Sequence, residues 1–353
     1  MMTTRGEVND IDLSARPGRR GLNLRGLAQA LIGVVALALV VIKCDARGLI
    51  EAITATRVAY LPFAVAASFV VTWLMAYRWG AILSVRGNGI KTSRLFVYYL
   101  IAIFFMSFVP GGGVSGDVAR LIYVNRELHD KAFVLSTLVY ERLVGLFTLL
   151  LIGLAATITT RTFGQAERVI LVGESLLALA FIVTASLMSG YVSSRLARLI
   201  NSLSARLKAE RVGRAAARTL EAISELRRFR WMLFRTIALS VAIRVVWSAG
   251  CFIVAQAMGL PLGLPIVFAF ISLVDLIRML PISIGGLGVR EWVVIVLFAS
   301  AGISREQALT FSILAFAPIY LNAIAGGLIY ISRARMKRED NRIADLDLNR
   351  SQV

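Results

Sequence analysis

Six runs in this sequence are apolar over lengths near or beyond the roughly 20 residues with which an α-helix crosses a bilayer. They lie near residues 27 to 43, 58 to 77, 132 to 159, 169 to 190, 234 to 258 and 306 to 331. With 58% of its 353 residues hydrophobic and a mean hydropathy of +0.76, the chain carries far more apolar surface than a soluble core can bury. The expected fold is therefore an all-α, polytopic integral membrane bundle. The first run follows 26 mostly polar residues and ends at Lys43 rather than at a small-residue cleavage site. It reads as a retained anchor, not a removed signal peptide.

The net charge of +18 is spread as membrane topology spreads it, so nucleic acid is not an expected partner. Five arginines precede the first run, four cationic residues lie between 78 and 94, ten between 191 and 230, and five between 332 and 342. The loop 259 to 264 carries none and the loop 160 to 168 two. By the positive-inside rule the rich segments are cytoplasmic, which sets both termini inside. Residues 1–26 are then a polar cytoplasmic N-terminus, 27–332 the transmembrane domain and 333–353 a cytoplasmic tail. Within 191–230, Leu196, Leu199, Ile200, Leu203 and Leu207 share one helical face while arginines occupy the others. That pattern predicts a basic amphipathic helix lying on the membrane or against a partner.

Two shorter apolar stretches break at a proline, a glycine cluster, an acid and an arginine. The first contains Pro110, Gly111, Gly112, Gly113, Gly116, Asp117 and Arg120; the second contains Pro281, Gly285, Gly286, Gly288, Arg290 and Glu291. Their flanking arms, at about 13 to 16 residues, rise only about 20 to 24 Å as helix, short of a hydrocarbon core of roughly 30 Å. The arms are expected to be two re-entrant hairpins rather than full spans. The order span, span, hairpin, span then occurs twice, from 27 to 159 starting inside and from 169 to 331 starting outside, an inverted-topology repeat. Eight ordinary transmembrane helices with glycine-rich connections are the alternative.

Consecutive glycines let successive backbone N–H groups converge on an anion, and a helix restarting after them adds its N-terminal dipole. Ionisable residues within the apolar segments extend the pattern: Glu141 and Arg142, Arg244, and Asp275 with Arg278. Each must face protein or water. Glu141 and Arg142 point about 100° apart and need different partners, whereas Asp275 and Arg278 can pair directly. The set suits a lipid whose head group is anionic or zwitterionic. Phosphate would meet the glycines and arginines, and the acids would balance them or meet a cationic substituent. Structural ion pairs and close helix packing are the competing uses of the same residues.

The Gly-Gly-x-x-Gly-Asp-x-x-Arg pattern from Gly112 to Arg120, Glu141-Arg142-Leu143, and Pro281 with Gly285-Gly286-Leu287-Gly288-Val289-Arg290-Glu291 together resemble the flippase-like transmembrane domain of lysylphosphatidylglycerol synthases. This family also has free-standing members in bacterial and archaeal cytoplasmic membranes. Ser115 stands where relatives often have glycine. The resemblance implies movement of a phospholipid, glycolipid or polyprenyl-linked lipid between leaflets, beside a separate lipid-modifying enzyme. About twenty residues follow the last run, so lysyl transfer is not expected of this chain. A non-transporting scaffold or lipid receptor would share the same sequence features.

No catalytic or cofactor site is expected. Gly113-Val114-Ser115-Gly116 has the form of a rhomboid-type serine site, but the single histidine, His129, lies in a polar stretch just downstream rather than on a facing helix. Cys44 and Cys251 are isolated and give neither a disulfide framework nor a metal site.

Overall fold

A computed structural model describes residues 24–160 except 43 and 88, four single positions between 175 and 182, and residues 230–350 except 281. Among these residues the chain is helical: α1 (Leu24–Ile42), α2 (Ala46–Thr54), α3 (Leu61–Leu83), α4 (Thr92–Phe108), α5 (Gly113–Leu128), α6 (Lys131–Thr160), α7 (Arg230–Ala257), α8 (Leu264–Arg278), α9 (Val289–Ala299) and α10 (Arg305–Arg350). Four segments, Val58–Arg86, Lys131–Thr159, Trp231–Ala257 and Arg305–Arg333, are long and apolar enough to cross a membrane, and shorter apolar helices accompany them. This is a polytopic helical membrane fold. The span expected at 169–190, apart from four positions, and the amphipathic helix expected at 191–230, apart from its last residue, lie outside the described residues.

The expected boundary at residue 77 is corrected. Helix α3 continues to Leu83, so Arg78 is not a loop cation; it lies inside the helix and is buried. A buried carboxylate on α6 makes this position tenable for a charge, as described below.

Proline and glycine set the two breaks. Val109 is extended (φ −108°, ψ 136°), because the ring of Pro110 excludes helical backbone in the residue before it. Gly111 (φ 109°) and Gly112 (φ 54°) take backbone that a Cβ disfavours, and α5 restarts at Gly113. The second break repeats the device between α8 and α9, with positive φ at Gly285, Gly286 and Gly288. At its far end α5 stops on exposed His129 in the left-handed region. Asp130 then caps α6 by accepting the Phe133 N–H at 3.0 Å.

The helices pack in a repeating scheme. Helix α3 lies on α7, α6 on α8, and α10 on α4, while the arms pack within each pair, α4 on α5 and α8 on α9. Trp247, Phe270, Phe298 and Phe316 centre one apolar core; Trp79, Leu95, Phe133 and Tyr140 centre the other. Small residues permit the closest approaches, as packing between helices in lipid requires. At Gly326 a Cβ would collide with the Leu100 backbone, and at Gly327 with the Phe104 ring. Leu31, Val34, Phe63, Ile158, Trp231 and Leu328 are exposed on the outside, a surface suited to acyl chains.

Candidate functional site

Glu141 on α6 is 4% exposed and accepts from Arg78 Nη2 at 2.6 Å and Arg120 Nη1 at 2.7 Å. The Tyr99 hydroxyl donates to the same carboxylate and accepts from Arg120. Arg78 also donates to Ser240 Oγ on α7 at 2.6 Å. Arg120 reaches back one turn to Asp117, and Arg142 grips Asp117 through Nε and Nη2. Glu141 and Arg142 therefore have different partners, as their angular separation predicts. The guanidinium of Arg120 lies 4.5 Å from the Tyr99 ring centroid, a favourable site for a desolvated cation. Arg142 is the open end of this chain of charges, its side chain 38% exposed.

A second cluster centres on Asp275 of α8, which accepts from Arg244 Nη1 at 2.6 Å and from Arg278 Nη1 at 3.0 Å. The expected i, i+3 pair thus exists and has a third member. Arg278 and Arg290 both lie over the Phe316 ring, at 4.9 and 4.5 Å. Arg290 is paired with its neighbour Glu291, whose other oxygen accepts the Gly288 N–H at 2.7 Å and so caps α9.

Between these groups lies a cavity of about 280 Å³ bounded by α3, α4, α6, α7, α8, α9, α10 and both glycine turns. Arg142, Arg244, Arg278 and Arg290 line it, with Asp275, Gly112, Gly113, Gly285 and Gly286. A smaller cavity of about 190 Å³ adjoins it at Gly113, Arg142 and Arg244, and takes in Gly116, Asp117, Arg120 and Glu141. The first cluster holds three arginines against two carboxylates and the second two against one. Each has one guanidinium in excess, so the cavity favours an anion.

The two glycine motifs, alike in sequence, differ in availability. Helix α5 opens at Gly112 without a side-chain cap; the Val114 and Ser115 N–H groups bond the Gly111 and Gly112 carbonyls within the turn, which leaves the Gly113 N–H as the open donor of the first turn beside the cavity. A Cβ at Gly113 would meet Arg142 Nη2 at 2.7 Å, so glycine there lets the guanidinium lie against the helix terminus. Helix α9 is closed by its own Glu291, and the Gly286 and Leu287 N–H groups bond within the turn. The expectation of an open nest is therefore corrected at Gly288. That residue serves packing, since a Cβ there would press on α1 at Ala36 and Leu37. Gly116 likewise faces the Ala102 carbonyl of α4. Gly111, Gly288 and Glu291 line neither cavity.

Sequence reading missed Arg78 and a group of uncharged polar residues, Ser68, Thr72 and Asn322, all buried and all lining the larger cavity. A signal for the first two existed in their i, i+4 spacing on an apolar helix; Asn322 joins them only through the fold. Ser115 and His129 are not brought together. They sit 14 residues apart on one helix, about 21 Å along its axis, and Ser115 Oγ donates to the Phe105 and Gly112 carbonyls. Among the described residues no group of three or more His, Cys, Asp and Glu side chains assembles a metal site.

A family model described as the lysylphosphatidylglycerol synthase TM region matches residues 26–326. A UPF0104 membrane protein of Methanothermobacter thermautotrophicus is 22% identical over 296 residues, covering 79% of this chain and 87% of that protein. No solved structure matches the chain.

Proposed function

Since the chain belongs to the lysylphosphatidylglycerol synthase transmembrane-region family, we propose that it binds the phosphate of a lipid head group in its arginine-lined cavity and carries that head group between leaflets. The observation that carries this reading is the convergence of Arg142, Arg278 and Arg290 with the uncapped start of α5 on one cavity holding excess positive charge. At about 280 Å³ it falls near the lower end of ligand pockets, about 300–1,000 Å³. That size suits a head group whose acyl chains remain in the bilayer. Such an arrangement avoids moving bare charge through hydrocarbon.

Two further features support transport over static binding. Arms α4 and α8, at 17 and 15 residues, rise about 25 and 22 Å, which favours re-entrant hairpins. Exchanging the halves maps α6 on α8 onto α10 on α4, and α3 on α7 onto itself, as an inverted repeat with alternating access would require. In this reading both termini are cytoplasmic, the membrane is the cell membrane, and the chain is not itself an enzyme; any lipid-modifying step belongs to a separate polypeptide.

The test is transfer of acyl-labelled phosphatidylglycerol between leaflets of vesicles containing the full chain. Wild type is expected to move the lipid, while folded, inserted Arg142→Ala and Arg290→Ala proteins do not. Undiminished movement in both variants would remove the arginines from the mechanism. Binding without movement in wild type would make the protein a lipid receptor or scaffold.

A further inference from the structure

Asp117 puts a carboxylate where the site would seat an anion. It lies one turn into α5, beyond Gly113, and lines the smaller cavity together with Gly113, Arg120 and Arg142. Its Oδ2 accepts from both Nε and Nη2 of Arg142, the edge of a guanidinium that also grips phosphate through two bonds. The same Nη2 is the atom that lies against Gly113. A phosphate drawn to the Gly113 N–H and to this edge of Arg142 therefore meets a negative charge already in place.

Within this cluster the Arg142–Asp117 link is the one that opens most readily. The pairs of Glu141 with Arg78 and Arg120 are buried on both sides, and separating either would strand a desolvated charge. The side chains of Arg142 and Asp117 are 38% and 19% exposed, and open pairs hold weakly. When Arg142 turns away, Asp117 keeps Arg120, and Arg120 keeps Glu141 at 2.7 Å. No buried charge loses its last partner. Arg142, which lines both cavities, can thus exchange a carboxylate for a phosphate while the rest of the cluster stays paired. In the second cluster Asp275 is more enclosed, its side chain 9% exposed between Arg244 and Arg278.

Resting on the phosphate-binding reading above, we infer that Asp117 is a resident counterion which a lipid phosphate displaces from Arg142, so that this carboxylate sets the affinity of the site and its return helps to expel the phosphate. Purified full-length protein in detergent is titrated with acyl-labelled phosphatidylglycerol and, as a probe without phosphate, acyl-labelled diacylglycerol. Asp117→Asn keeps the shape and removes the charge. It should bind phosphatidylglycerol about tenfold more tightly than wild type, the lower end of what one neighbouring charge does to an ionic equilibrium, and bind diacylglycerol as wild type does. Asp117→Glu, which keeps the charge, should stay near the wild-type affinity. Where thermal unfolding shows Asp117→Asn to be misfolded, Asp117→Ser removes the same charge and carries the same expectation. Weaker phosphatidylglycerol binding by the charge-free variants would make Asp117 a positioning residue for Arg142, and unchanged binding would mean that phosphate reaches Arg142 without displacing it. Equal tightening of both lipids would trace the effect to a wider cavity. Each of these three results overturns the exchange and leaves the phosphate site standing, whereas no phosphatidylglycerol binding by wild type and charge-free variants alike would overturn both readings.

Discussion

Adjacent residues Glu141 and Arg142 carry separable roles. Glu141 is the buried counterion of two arginines, so Glu141→Ala leaves Arg78 desolvated without a carboxylate and Arg120 with Asp117 alone. Breaking a buried pair in this way costs about 3–5 kcal/mol. Arg142 is partly exposed, and its partner Asp117 keeps Arg120 when it is removed. Arg142→Ala should therefore change stability by no more than about 1 kcal/mol, the range of open ion pairs, while abolishing lipid binding. Detergent-solubilised thermal unfolding separates the two: a large fall in midpoint for Glu141→Ala beside a near-wild-type midpoint for Arg142→Ala is expected. Equal destabilisation would mean that Arg142 is a structural ion-pair partner. Glu141→Gln, which retains an acceptor but no charge, should fall between them.

Between helices, glycines do two kinds of work that sequence alone presents as one. Gly113 has helical backbone, and its neighbour is the movable end of Arg142. Gly113→Ala should thus fold normally and weaken lipid binding about tenfold by displacing one charge-assisted contact of about 1.5–3 kcal/mol. Gly326 instead faces the Leu100 backbone, which cannot yield as a side chain can. Gly326→Ala should separate α10 from α4 and lower stability by at least about 1–3 kcal/mol, read as reduced yield and an earlier unfolding midpoint. The breaks after Val109 and Leu280 were legible because proline and glycine act on their immediate neighbours. The closure of α9 by Glu291 was not, since a glycine run reads the same whether its N–H groups are open or capped. Arg78 was misread for a related reason: residue counting sees a cation near the end of an apolar run, whereas its place depends on a carboxylate 63 positions away.

At the scale of the molecule, hydropathy and charge spacing carried the fold class and the order of helices, because both follow from the bilayer's thickness and asymmetry. The pairing of α6 with α8 and of α10 with α4 is long-range packing and leaves no local signal. The proposed orientation, with both termini inside, places the segment after α1 on the outer face. Cys44 begins that segment and is partly exposed, whereas Cys251 is buried within α7. A membrane-impermeant maleimide applied to intact cells should therefore label Cys44 and spare Cys251, with Cys44→Ser abolishing the signal. Partial burial and the nearby Glu306 carboxylate push the Cys44 thiol above its ordinary pKa, and only the thiolate reacts. Near neutral pH the labelling should consequently be slow and rise about tenfold for each added pH unit while the thiol form predominates. Labelling that appears only after permeabilisation would invert the orientation and place both termini outside. A rate that already levels off around the ordinary thiol pKa of about 8.5 would instead show that burial and the Glu306 carboxylate do not raise the Cys44 pKa in the working protein.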